Sequence, residues 1–193
     1  MADWGGGALM FVKAHAVIDG CTFQGNHADG DDDYAAAGGA IYARGEGVVV
    51  DCKNTIFKEN YNFVGNNVKS GGIIRVQQSG GIARFDNCMF DGNYTNRSKS
   101  DNAASAAIIN NRQGGAQYYF NACEFKHNAS GTGTSGNEYG GLRGMVIATY
   151  ASSTIAMNNC SMHDNYGSRN PGEPTLQWIY LDNASNTFIL SNS

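Results

Sequence analysis

The chain has little proline, no excess of basic residues and no long hydrophobic run. Proline occurs twice in 193 residues and glycine 26 times, a balance that favours short strands joined by tight turns over helices. The 13 basic side chains are outnumbered by 17 acidic ones, and the net charge of −4 gives no attraction to phosphate backbones. Because no run of about 18 apolar residues is present, no direct membrane insertion is expected. Nucleic acid is likewise not an expected partner.

Two phrases alternate along the chain with a period of 33 to 37 residues. One ends in Phe-x-x-Asn, as in Phe23–Asn26, and the other reads Gly-Gly-Ala-Ile, as in Gly38–Ile41. A fixed period in this range predicts one structural unit stacked on copies of itself. Apolar and polar residues alternate beside both phrases, which is typical of strands with one buried face.

The repeat predicts an all-β, single-stranded parallel β-helix, a solenoid that spans residues 1–193 as one domain. Strands that recur in the same order, with like residues stacked on like, are parallel. Each coil is expected to hold two clear strands and a short third segment near the Phe-x-x-Asn end. About six coils, spaced 4.7–4.9 Å apart, predict a core about 30 Å long. Right-handed winding is expected from the usual chirality of parallel crossovers.

Two columns of the repeat are predicted to stabilise the stack. Phenylalanine rings pack on one another, and asparagine amides, which both donate and accept hydrogen bonds, join neighbouring coils and satisfy the backbone of tight corners. A polar binding strip is the alternative role for the asparagines. The predicted ladder consists of Phe23, Phe57, Phe90 and Phe125 with Asn26, Asn60, Asn93, Asn128 and Asn165.

The two phrases resemble the repeats of the polymorphic outer membrane proteins first known from chlamydial surface proteins. That family is defined by recurring Gly-Gly-Ala-Ile and Phe-x-x-Asn tetrapeptides, which Gly38–Ile41 and Phe90–Asn93 match in full. Later units drift, since Ala106–Ile109 lacks the glycines and Met162 replaces the phenylalanine. The resemblance implies a secreted, surface-exposed β-helix, often adhesive or a passenger on a larger protein, and it supplies no catalytic residues.

An outward column of the strand that begins at Gly-Gly-Ala-Ile is the candidate binding surface. Tyrosine, arginine, asparagine and glutamine on a flat sheet are suited to gripping a sugar or a protein partner. An ordinary solvated face is the alternative interpretation. The candidate residues are Tyr42, Arg44, Arg75, Gln77, Asn110, Arg112, Tyr150 and Tyr180.

An acidic loop is the candidate metal site, because clustered carboxylates hold Ca²⁺. Its residues are Asp29, Asp31, Asp32 and Asp33. They match no EF-hand pattern, and a solvated acidic loop is the favoured alternative. No other cofactor is expected.

The cysteines suggest disulfides and the histidines suggest a catalytic pair, but in both cases the sequence pattern favours a structural role. Four of the five cysteines, among them Cys123 and Cys160, share one inward column, so a stack of free thiols is favoured over disulfides between coils. His127 and His163 are expected to be close together beside Asp164. A catalytic pair of a glycan-cleaving β-helix is conceivable there, but exposed corner histidines are favoured.

These observations favour a structural and adhesive function over an enzymatic one. The expected molecule is a stiff, secreted or cell-surface rod that presents a flat sheet face and the loops at 93–102, 128–140 and 166–174 to a host protein or glycan. The alternatives are a polysaccharide-active lyase or hydrolase, a glycan-binding β-helix, and a self-assembling filament subunit. Neither end shows a capping unit or a signal peptide, so the ends look truncated and flanking coils or neighbouring subunits are expected to cover them.

Overall fold

The structure is a computed structural model that describes residues 7–30, 38–64, 72–77, 80–97, 106–111, 115–132, 146–149, 151–167, 178–181 and 183–193. Within these ranges the chain forms 22 strands and no helix, so no helix there is long or apolar enough to cross a membrane. The strands assemble into four parallel sheets, each built from corresponding strands of successive coils.

The first two sheets have six strands each. The first sheet consists of β1 (Leu9–Val12), β5 (Ile41–Arg44), β9 (Ile74–Gln77), β13 (Ile109–Asn111), β17 (Ile147–Thr149) and β21 (Ile179–Leu181). The second sheet consists of β2 (His15–Asp19), β6 (Val49–Lys53), β10 (Ile82–Asp86), β14 (Gln117–Asn121), β18 (Thr154–Asn158) and β22 (Thr187–Ser191).

The other two sheets have five strands each. The third sheet consists of β3 (Thr22–Gln24), β7 (Ile56–Lys58), β11 (Met89–Asp91), β15 (Glu124–Lys126) and β19 (Ser161–His163). The fourth sheet consists of β4 (His27–Gly30), β8 (Tyr61–Val64), β12 (Tyr94–Arg97), β16 (Ala129–Thr132) and β20 (Tyr166–Gly167).

This topology confirms the predicted parallel β-helix. The expected number of about six coils is slightly too high, since five coils contribute all four strands and a sixth contributes two. The prediction of two strands and one short segment per coil is wrong as well, because each complete coil has four strands. Only the second-sheet strands have five residues, and the others have two to four, too few to show a long alternation. The right-handed winding stays a prediction.

The interior is a set of stacked, in-register columns, as the repeat predicts. Phe57 and Phe90 lie with ring centroids 5.0 Å apart, and Phe90 and Phe125 lie 4.8 Å apart, with their planes nearly parallel. The rings of Phe85 and Phe120, from the second sheet, meet this stack edge-on. These five side chains are buried at the centre of the core. Phe23, the remaining member of the predicted ladder, is half-buried and stacks on Phe57 with ring centroids 5.1 Å apart, so the phenylalanine part of the ladder is confirmed.

The asparagine part of the ladder is confirmed too, at the corner between the third and fourth sheets. The Oδ1 atom of Asn93 accepts hydrogen bonds from both the backbone N–H and the side-chain amide of Asn60, each at 3.0 Å. The Asn93 amide in turn donates to the backbone oxygen of Phe57 at 2.7 Å and to Asn128 Oδ1 at 3.0 Å. The same bonds join Asn26 to Asn60 and Asn128 to Asn165, so the ladder runs through all five coils.

Each coil turns two of its corners through a residue in the left-handed backbone conformation. One column of such residues lies between the second and third sheets, and the other precedes the asparagine ladder. The first column has φ values of 48° to 62° and consists of Gly20, Asn54, Asn87, Ala122, Asn159 and Asn192. The second has φ values of 52° to 65° and consists of Gly25, Glu59, Gly92, His127 and Asp164. Glycine and asparagine recur there because they tolerate this conformation best.

The cysteine column lies directly after the first of these corners and has a second role besides packing. The thiols of Cys88 and Cys123 bond to the backbone oxygen two residues earlier, at 3.4 Å and 3.3 Å. Thr55 occupies the same column, and its hydroxyl donates to the Lys53 oxygen at 2.6 Å. A small side chain with a hydrogen to donate therefore satisfies the corner, which explains why cysteine, threonine and serine alternate in this column.

Candidate functional site

The predicted binding face on the first sheet is not an open surface at its centre. Tyr42 is 0% exposed and Arg75 is 4% exposed, so the expectation that both face solvent is wrong. The Tyr42 hydroxyl donates to Gln77 Oε1, and the Arg75 guanidinium lies 5.4 Å from the Tyr42 ring centroid in a cation–π contact. Alternation along a strand indicates which side of the sheet a side chain occupies, but not whether other segments cover that side.

Burial shifts the pKa of both groups in this covered layer. Desolvation raises the pKa of Tyr42 against the opposing effect of Arg75, and it lowers the pKa of Arg75 itself. Arg44, Gln77 and Tyr180 are partly exposed. Asn110 belongs to β13, while Arg112 and Tyr150 lie outside the described residues. Binding by this face stays a prediction, but Tyr42 and Arg75 are positioned to stabilise neighbouring coils.

The predicted calcium loop falls almost entirely outside the described ranges. Asp31, Asp32 and Asp33 lie outside them, and Asp29 belongs to β4, where its backbone pairs with Phe63. Among the residues that the structure describes, no group of three or more His, Cys, Asp or Glu side chains is arranged to hold a metal ion. Calcium binding stays a prediction. Most of the predicted recognition loops at 93–102, 128–140 and 166–174 also lie outside these ranges.

An open groove crosses the outer face of the second sheet, and sequence reasoning did not single it out. It has a volume of about 390 Å³ and extends from β10 to β22. Its outward-facing lining, which we call the amide groove, consists of Arg84, Asp86, Tyr119, Asn121, Ala156, Asn158, Ile189 and Ser191.

Strand register places these residues in two parallel tracks. Arg84, Tyr119, Ala156 and Ile189 occupy the same position on successive strands. Asp86, Asn121, Asn158 and Ser191 occupy the position two residues later. One track is therefore mainly aromatic and aliphatic and the other entirely polar. Both follow the axis of the β-helix with the spacing of the strands, about 4.8 Å.

The polar track is held by hydrogen bonds between coils. Asn121 donates to Asp86 Oδ1 at 2.6 Å, and Asn158 donates to Asn121 Oδ1 at 2.9 Å. The Ser191 hydroxyl then donates to Asn158 Oδ1 at 2.9 Å. This is a second, exposed ladder, and it orients the amides without consuming all their hydrogen-bonding groups.

A charged cluster borders the groove at its first coil. Asp51 lies between His15 and Arg84, accepting from His15 Nε2 at 2.7 Å and from Arg84 Nη1 at 2.9 Å. Desolvation raises the pKa of Asp51, but the bonds to His15 and Arg84 outweigh it and the net pKa is lowered. Arg84 is thus compensated by Asp51 and does not present an isolated positive charge.

The two corner histidines lie close together, as predicted. The ring centroids of His127 and His163 are 6.4 Å apart. Both rings form hydrogen bonds to carboxylate groups. His127 Nδ1 lies 2.8 Å from Asp91, and His163 lies 2.9 Å from Asp164 and 3.0 Å from Glu124. Both rings are about half exposed and take part in surface ion pairs, an arrangement that corresponds to the favoured expectation of exposed corner histidines.

The five cysteines are free thiols, in line with the favoured prediction. Cys52, Cys88, Cys123 and Cys160 are buried, whereas Cys21 is exposed in the first coil. Burial raises the pKa of Cys52, while the neighbouring Cys123 thiol lowers the pKa of Cys160. The two thiols occupy different columns, since Cys52 lies beside Phe85 in the second sheet and Cys160 follows the corner after β18.

Comparison of the chain with protein families, with curated proteins and with solved structures finds no match. The resemblance to polymorphic outer membrane protein repeats therefore stays a prediction that comes from the two tetrapeptides alone.

Proposed function

We propose that this chain is a stiff adhesive scaffold, a parallel β-helix that binds an extended partner along the outer face of its second sheet. The observation that carries this proposal is the amide groove, which continues over four coils on an open face. A binding surface of this form needs a support that does not bend. Stacked phenylalanine rings provide it beneath the groove, and the asparagine ladder holds the same coils in register at the corner between the third and fourth sheets.

Adhesion suits this geometry better than catalysis does. The polar track of the groove presents a hydrogen-bonding side chain at each coil, so contacts that are weak singly add up along a long partner. In the described part of the chain, the two histidines lie on the third-sheet corner and do not line the groove. A secreted or cell-surface location belongs to the same proposal and is supported by the resemblance to the surface-protein repeats.

Two measurements test this proposal. Antibodies raised against the chain are expected to label intact, unpermeabilised cells of the source organism. Beads coated with the folded chain are expected to be retained on surfaces that carry extracellular polysaccharides or matrix proteins, whereas beads coated with the heat-denatured chain are not. Labelling that appears only after permeabilisation contradicts the location, and equal retention of folded and denatured chains contradicts a structured adhesive face.

A filament subunit is a second candidate function, favoured by the exposure of the last strand. Phe188 is 37%, Ile189 50% and Leu190 56% exposed on β22, whose outer edge pairs with no other strand among the described residues. A following coil or another copy would cover these groups. Sedimentation velocity over a hundredfold concentration range tests whether another copy of the chain covers β22, with Leu190→Lys as the variant. Growth of the sedimentation coefficient with concentration supports self-assembly only if that variant abolishes it.

A further inference from the structure

We propose that the amide groove binds an extended, uncharged glycan whose chain runs along the axis of the β-helix. This inference rests on the proposed adhesive function and names the chemical class of its partner. The sugar rings would lie on the track of Tyr119, Ala156 and Ile189, and their hydroxyl groups would bond to Asn121 and Asn158.

The apolar track offers a surface of the kind that the C–H face of a sugar ring packs on. Tyr119 is half-buried, and its hydroxyl donates to Gln117 Oε1 at 2.6 Å, a bond that holds the side chain on the face of the sheet. Ala156 and Ile189 continue the track over the next two coils, and the small Ala156 side chain leaves space between its larger neighbours. An aromatic ring followed by aliphatic groups gives flat, partly apolar support without a deep pocket.

The polar track has the hydrogen-bonding capacity that hydroxyl groups require. Within the ladder, Asn121 and Asn158 each use one N–H and one lone pair, so each amide keeps one N–H and one lone pair for a ligand. A hydroxyl group both donates and accepts, so it bonds to such an amide in either orientation. A peptide partner, by contrast, would seek unpaired backbone groups, and the backbones of β10, β14 and β18 are already paired on both sides.

The charges of the groove favour a neutral partner over an acidic or basic one. The groove holds one basic side chain, Arg84, and one acidic side chain, Asp86. Arg84 is paired with Asp51, and Lys53 occupies the position next to Asp86 on the neighbouring strand. An anionic polymer would meet Asp86 and gain little from a compensated arginine, and a cationic polymer would meet Arg84 and Lys53.

Affinity electrophoresis tests the inference with gels that contain hydroxyethyl cellulose, arabinoxylan, galactomannan or the anionic polygalacturonate. At least one neutral polymer is expected to retard the wild-type chain, with no retardation by polygalacturonate. Tyr119→Ala is expected to weaken the binding at least about tenfold, since it removes the aromatic support. Asn158→Ala, which removes one amide and keeps the aromatic ring, is expected to weaken it several-fold.

Tyr94→Ala is the matched control, because Tyr94 is also a half-buried tyrosine but lies on the fourth sheet, where it stacks on Tyr61. It is expected to bind as the wild type does. Far-UV circular dichroism confirms that each variant is folded, and Asn158→Ala serves alone if Tyr119→Ala does not fold. Retardation by polygalacturonate alone, by no polymer, or equally for wild type and both groove variants overturns the inference.

The bead assay separates this outcome from failure of the adhesive function. If wild-type and Tyr119→Ala beads are retained equally and neutral polysaccharides do not compete, the chain is adhesive but the glycan assignment is wrong. If folded beads are retained on no surface, the adhesive function itself fails.

Discussion

Replacing Asn93 by alanine tests whether the buried asparagine ladder or only the apolar core holds the coils together. Asn93 is fully buried and takes part in four hydrogen bonds through its side chain. The alanine variant leaves the Asn60 N–H, one Asn60 amide hydrogen and the Phe57 oxygen without these partners. Each unsatisfied buried group costs about 1–3 kcal/mol, so we expect the free energy of unfolding to fall by about 3–6 kcal/mol after partial relaxation.

Asn121→Ala is the matched control for this prediction. Asn121 also bonds to asparagine and aspartate side chains of the adjacent coils, but it is exposed, and water replaces the lost bonds. Its cost is expected to stay below about 1 kcal/mol. If Asn93→Ala destabilises the fold too far to measure, Asn165→Ala at the end of the ladder is the milder variant.

Urea unfolding followed by far-UV circular dichroism measures both variants, and an unchanged m-value shows that the same surface unfolds. Equal costs for Asn93→Ala and Asn121→Ala would refute the reasoning. The ladder would then be a consequence of the coiling and not a cause of its stability.

Three further predictions concern the corners and the column of thiols. Ala122 has a φ of 52°, a conformation that glycine adopts more easily than alanine, so Ala122→Gly should raise the free energy of unfolding by up to about 1 kcal/mol. Ala156→Gly, within β18, should lower it. A loss of stability in both variants would contradict the role of the left-handed corner. The bonds to Asp164 and Glu124 raise the pKa of His163 above 6.5, so the stability gained from protonated His163 is complete below its unfolded-state pKa and is lost as pH rises through its folded-state pKa. An NMR titration should show a raised pKa for His163 that falls in Asp164→Asn. An unchanged pKa in that variant would contradict the role of Asp164. Brief alkylation of the native chain, followed by mass spectrometry, should show Cys21 labelled first and Cys160 next. All five thiols should be labelled after unfolding. Faster labelling of Cys88 or Cys123 than of Cys21 would contradict the described burial.

The ladders could be predicted because each column repeats one residue type at nearly constant spacing. Phe57, Phe90 and Asn93 are each followed at the next coil by the same residue, and only stacking in register gives that repetition a physical reason. The strands of the fourth sheet were missed because they lack a repeated sequence pattern. Each begins directly after a ladder asparagine, but no one residue type repeats along these strands and the segments after them vary in length between coils, so no further column stands out.

The candidate site was harder to predict, because the alternation of apolar and polar residues does not determine which outward side chains are exposed to solvent. Tyr42 and Tyr119 both alternate with buried apolar residues, but only Tyr42 was a predicted binding residue. The structure buries Tyr42 completely and leaves Tyr119 lining an open groove. The sequence contained one usable signal for that groove, namely the recurrence of asparagine at Asn121 and Asn158 with the period of the buried ladder.

The amino-acid sequence by itself determined the coiling, the parallel register and the composition of the buried columns, because a periodic stack converts spacing along the chain directly into contact between coils. Only the tertiary structure decided which outer face is covered and which is open, and how the Asp86, Asn121 and Asn158 side chains join into one track. These properties depend on what packs over a sheet and on side chains from different coils meeting at its surface, and no single repeat contains that information.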